Sequence, residues 1–187
     1  MWKWSRSSAW SDEPAMPFLK HWAPDVGLGE AHNADPKVYS ALFALHEALM
    51  RGRSSLSVPQ RELIAAFVSA LNQSKFCVAE HVENASLTGV NQDVFQQLLA
   101  DIETAPVRPK LKPLLKFAKK LTLQPDCVAQ QDVDAIFEAG WDEKAFRDTV
   151  AISALMNLAN RLASGFGIEV GRHKNPYNVR RGRRSQG

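Results

Sequence analysis

Residues 57–81 read SVPQRELIAAFVSALNQSKFCVAEH, and this stretch decides the fold class. Ser57 and Gln60 stand in capping-box spacing with Pro59 inside the first turn, so a helix is predicted to open here. Leu63, Ile64, Phe67, Val68 and Leu71 form a broad apolar stripe, as expected of a central helix. A break at Asn72–Gln73 precedes a further helix through about Leu87, closed by Gly89. Cys77 and His81 lie four residues apart near the start of that helix and share one face.

The same period extends outward in both directions. DPKVYSALFALHEALM (35–50) has Asp35 as N-cap and Pro36 at the first helical position. Its Val38, Leu42, Leu45 and Leu49 predict one buried face. Upstream, FLKHWAPD reads as an irregular segment or a short helix ending at Pro24. Downstream, NQDVFQQLLAD, the basic amphipathic LLKFAKKLTL, QQDVDAIFEAG and DEKAFRDTVAISALMNLANRLASGFGI are each predicted helices. No window alternates with period two, so no sheet is expected and the class is all-α, a single-domain helical bundle. GVNQDVFQQ at Gly89 and GWDEKAFRD at Gly140 echo each other as helix–glycine–helix corners, which cap chemistry alone can produce.

The 187 residues suffice for one domain with a sizeable core. No apolar run approaches the roughly 20 residues of a membrane span, and the first residues lack the apolar centre of a signal peptide. Two cysteines, Cys77 and Cys127, are too few for a disulfide framework and fit a reducing, cytoplasmic compartment. Residues 1–15 form an arm holding Trp2, Trp4 and Trp10, residues 16–170 the helical domain, and residues 171–187 a basic tail. That tail carries Arg172, Lys174, Arg180, Arg181, Arg183 and Arg184 and no acid. Aromatic and basic residues do not interleave in the body, so no nucleic-acid platform is expected there.

Glu62, Ser74, Cys77 and His81 are the candidate site. A thiol is nucleophilic as thiolate, and a free cysteine is mostly protonated at neutral pH. The helix N-terminus favours the thiolate, His81 one turn on is a proton acceptor, and Glu62 on the preceding antiparallel helix can orient His81. Each has a plainer reading: Cys77 as a small buried hydrophobe, His81 as a satisfied core group, Glu62 as a partner for Arg61. Two zinc ligands at i, i+4 would need a second pair, and none is spaced for it, so no metal or cofactor is expected.

RELIAAFVSALNQSKFCVAEH resembles the core motif of the carboxymuconolactone decarboxylase and alkylhydroperoxidase D-like superfamily. That motif is a glutamate, eleven residues, a cysteine, two residues, a second cysteine, three residues and a histidine. Glu62, Cys77 and His81 fall on the glutamate, second cysteine and histidine. The resemblance spans roughly 35 to 170, includes Gly89–Val90 and the last helix, and is nearest to the subgroup of peroxidase-related enzymes. It implies a homo-oligomer, a trimer or hexamer, in which glutamate and histidine relay a proton from the thiol. The apolar circumference of residues 150–168 points to oligomerisation as well.

Ser74 replaces the first cysteine of the motif, so no disulfide can close there. Ser74 can donate to a thiolate or cap the helix. A sulfenic acid on Cys77 would then be resolved by an external thiol, a cysteine of another subunit, or Cys127. The expected activity is reduction of a small peroxide by a single cysteine with an external thiol reductant. The alternatives are acid–base chemistry of the decarboxylase type on a small lactone or carboxylate, and a non-catalytic helical oligomer.

Overall fold

The computed structural model describes residues 16–86 and 92–169. Among these residues there are eight α-helices and no strand, as the all-α reading requires. They are α1 (Leu28–Ala34), α2 (Pro36–Arg51), α3 (Val58–Leu71), α4 (Lys75–Ser86), α5 (Gln92–Ala100), α6 (Lys112–Leu123), α7 (Gln130–Glu138) and α8 (Glu143–Phe166). The arm 1–15, the tail 171–187 and Gly89–Val90 lie outside the described residues.

α3 is the central helix. Every residue from Arg61 to Ser69 is buried, because α4, α6 and α8 pack around it. Ile64, Phe67, Leu114, Leu115, Ile152 and Met156 meet in the core. The capping box of α3 forms as expected: Gln60 N donates to Ser57 Oγ and Ser57 N donates to Gln60 Oε1. Asp35 and Asp142 cap α2 and α8 through the amides of Val38 and Ala145. α8 ends at Gly167, whose φ of +68° is left-handed. A Cβ there would lie 2.9 Å from the Phe18 ring, so this glycine also admits the segment preceding α1.

α3 and α4 form an antiparallel hairpin. Ser74 N donates to Ser69 O, and His81 bonds Glu62, so pairs straddle the link symmetrically. Gln73 turns the chain with φ +59°, a left-handed value uncommon for a residue with a Cβ.

Three expectations change. α1 was not apparent in the sequence: it has seven residues and no side-chain N-cap bond, so its short span shows no clear period. The predicted inner face of α2 is half outside: Val38 is 60% and Leu45 48% exposed. α2 lies at the edge of the bundle and turns Met50 inward, with Leu42 and Leu49 partly buried. Finally, α8 buries most of its apolar circumference within the chain, with Leu158 its large exposed apolar side chain. It packs on α1, α2, α3, α4, α6 and α7, which takes up more than one face.

Candidate active site

α4 starts at Lys75, so Cys77 sits in its first turn and His81 one turn later. Both are buried, and both line a cavity of about 690 Å³. The far walls come from α1 and α2, through Leu28, Phe43 and His46, and from Met156 of α8.

Glu62 lies beneath the cavity, fully buried on α3. A buried carboxylate is costly unless its charge is answered. Here Oε1 accepts from Arg51 Nη1 at 2.5 Å and Oε2 accepts from His81 Nδ1 at 2.8 Å. Burial alone would raise the Glu62 pKa, but the bond from His81 and the charges of His81 and Arg51 outweigh it. The group ends below the usual carboxylate range. An ionised carboxylate only accepts, so Nδ1 carries the hydrogen and Nε2 is the nitrogen left for chemistry. Arg61 does not pair with Glu62. Its Nη1 donates to Leu49 O at 2.8 Å and Gly52 O at 2.9 Å, satisfying the C-terminal end of α2 that presents Arg51.

The thiol has a polar bed of its own. The Ser74 hydroxyl and the Asn160 amide donate to it and favour its charged form. Burial outweighs both and pushes the Cys77 thiol up. The expected activation by the helix N-terminus therefore does not leave a resting thiolate. Asn160 is itself fixed: Nδ2 donates to Ser69 Oγ at 3.0 Å, and Oδ1 accepts from Asn72 Nδ2 at 2.9 Å. Ser74 thus reaches the thiol from the position where the motif has a cysteine. Cys127 is exposed on a 3-10 turn, Pro125–Cys127, between α6 and α7, and neither helix contributes to the cavity.

Residues 36–120, which hold Arg51, Glu62, Ser74, Cys77 and His81, match the carboxymuconolactone decarboxylase family. That stretch of the chain is similar to the carboxymuconolactone decarboxylase and alkylhydroperoxidase D-like proteins. An uncharacterised peroxidase-related protein from Ralstonia eutropha JMP134, with an alkylhydroperoxidase AhpD core, is 29% identical at a TM-score of 0.70. The match covers 76% of this chain and 75% of that one. A peroxidase-related protein from Silicibacter sp. TM1040 is 20% identical at a TM-score of 0.69, covering 88% and 96%. The debrominase Bmp8, solved in complex with 2,3,4-tribromopyrrole, is 17% identical at 0.65, covering 75% and 74%. The last two similarities show the fold. No curated protein matches the sequence.

The structure adds three residues that the quoted motif does not contain. Arg51 is the second partner of Glu62, Asn160 a donor to Cys77, and His46 a second imidazole in the cavity. The signal for Asn160 was a polar residue on the apolar face of α8 between Met156 and Ala163. For His46 it was the i, i+4 line Leu42, His46, Met50. For Arg51, eleven residues before Glu62, nothing local pointed to the pair.

Among the described residues no group of three or more His, Cys, Asp or Glu is placed to hold a metal ion, and no helix is long and apolar enough to cross a membrane.

Proposed function

We propose that this chain is a peroxidase-related thiol oxidoreductase in which Cys77 is the nucleophile, His81 moves its proton and Glu62 holds His81. The observation that carries this is the Arg51–Glu62–His81 chain ending on the cavity that Cys77 also lines. Cys77 rests as a buried thiol and loses its proton when a hydroperoxide is bound. The sulfur attacks the terminal peroxide oxygen, an S–O bond forms, and the O–O bond breaks with its electron pair on the leaving alkoxide. The thiol proton passes through His81 Nε2 to that alkoxide, giving an alcohol and a sulfenic acid at Cys77. One external thiol condenses with the sulfenic acid, releasing water and leaving a mixed disulfide. A second external thiol returns Cys77 to the thiol and leaves as the external disulfide. Ser74 excludes an internal resolving partner at the motif, which is why the reductant is external.

The raised thiol favours a second reading, acid–base chemistry by His81 and Glu62 without Cys77. The cavity speaks against its carboxylate substrates. Asp25, Glu30 and Glu80 line it, and its described lining has no lysine or arginine to receive an anion.

We also propose a homo-oligomer, a trimer or hexamer, working in the cytoplasm. Exposed Val38 and Leu45 on α2, beside the cavity, support a subunit contact there.

The test is a Cys127→Ser protein given stoichiometric tert-butyl hydroperoxide and trapped with dimedone. One adduct at Cys77, absent from Cys77→Ser, with peroxide consumed catalytically when external thiol is added, supports the reading. An unmodified Cys77 with no peroxide consumed rejects it.

A further inference from the structure

We infer that His46 is a second catalytic imidazole of this cavity, one that accepts a hydrogen bond from the O–H of the bound hydroperoxide and so aims its terminal oxygen at Cys77. The inference rests on the proposed function of the site and assigns a residue outside its motif.

The geometry comes first. His46 reaches the cavity from α2, whereas Cys77 and His81 reach it from α4, so a substrate between the helices meets all three. The His46 and His81 ring centroids are 6.1 Å apart with planes inclined by 33°.

The chemistry of the two rings is also different. His81 Nδ1 is tied to the Glu62 carboxylate, which fixes the hydrogen on that nitrogen and leaves Nε2 to exchange a proton. His46 is held neutral. Burial is the main cause, with the positive charges of His81 and Arg51 adding to it and Glu62 opposing it, and its pKa falls to about 4. Asp25, Glu30 and Glu80 are the carboxylates on the cavity wall. A neutral imidazole at pH 7 offers a lone pair, which is what an O–H needs. The division of labour follows. His81 carries the thiol proton to the leaving alkoxide. His46 holds the hydroxyl hydrogen of the oxygen under attack. That hydrogen stays on its oxygen and becomes the hydrogen of the sulfenic acid, so His46 exchanges no proton and the step balances as written.

The test separates the substrate from the thiol. In the full chain, His46→Leu, which has no acceptor, is compared with wild type for the rate of Cys77 oxidation by tert-butyl hydroperoxide and for the pH profile of Cys77 alkylation by iodoacetamide. The expected result is a peroxide rate lower by roughly tenfold, the loss of one hydrogen bond, with the alkylation profile unchanged. An unchanged peroxide rate, or an equal fall in both reactions, overturns the inference. A second arm needs no turnover and keeps His46 in place. In the Cys77→Ser protein, tert-butyl alcohol, the reaction's product, is titrated while the His46 ring signal is followed by NMR. A saturable shift of that signal supports the contact. A saturable shift in a protein whose wild type leaves peroxide untouched would end the proposed function and leave the hydroxyl contact standing. A His46 signal that does not move at any alcohol concentration overturns the contact whatever the wild type does to peroxide.

Discussion

Replacing His46 by glutamine should flatten the acid side of the stability curve. The His46 pKa is about 4 in the folded chain against an ordinary 6.5. Between those values the unfolded chain binds more protons, so unfolding free energy rises with pH across the window. The native protein has this stability in full above about pH 6.5 and loses it as pH falls toward 4. The two pKa values convert to about 3 kcal/mol at roughly 1.4 kcal/mol per pH unit. Solvent at the open side of the ring reduces this to about 2 kcal/mol. Glutamine has no proton to gain, so His46→Gln should be the more tolerant protein by that amount at pH 4.5, relative to any difference at pH 7.5. Glu62 remains in both proteins, so its own loss of stability at lower pH cancels to first order in the comparison. Urea unfolding at half-unit pH intervals, followed by far-UV circular dichroism, measures the difference. Parallel stability curves would show that His46 is not held neutral by the fold, and would refute the reasoning.

Three further outcomes follow from the same contacts. Arg61→Ala leaves the carbonyls of Leu49 and Gly52 without their donor and should cost about 2–3 kcal/mol in urea unfolding. Glu62→Gln leaves Arg51 and His81 without a carboxylate and should cost about 3 kcal/mol, while moving the Cys77 alkylation profile upward less than His81→Gln does. Ser74→Ala removes a donor that favours the thiolate, so the alkylation midpoint of Cys77 should move up, with exposed Cys127 as the internal control.

The helices were legible because their ends carry chemistry. Asp35–Pro36, Ser57 with Gln60, and Asp142 announce α2, α3 and α8 by capping groups that form in the structure. Apolar period identified which residues are hydrophobic on one side, but not what lies opposite. Val38 and Leu45 of α2 share a stripe with Leu42 and Leu49 and still face outward. A stripe predicts burial only where another element covers it, and α2 overhangs a cavity instead. Likewise, the spacing of Glu62, Cys77 and His81 placed them on two adjoining helices, and the Glu62–His81 bond was foreseeable from it. Arg51, His46 and Asn160 come from α2 and α8, and their approach to the site depends on tertiary packing that no local spacing encodes.

The raised thiol and the buried ion chain belong to one arrangement. A thiolate at Cys77 would be a negative charge in a dry site, and burial, with the Glu80 carboxylate adding to it, opposes that. A neutral thiol avoids that cost, and in the proposed reaction the bound peroxide gives the charge somewhere to go. Glu62 needs Arg51 as well as His81 for the same reason. If His81 alone balanced the carboxylate, passing its proton onward would leave Glu62 uncompensated in the core. With Oε1 bonded to Arg51, a permanent cation remains on Glu62 whichever protonation state His81 takes. In the proposed relay Arg51 would thereby let His81 gain and lose a proton without leaving a bare charge in the core, and Arg61 anchors the end of α2 that presents Arg51.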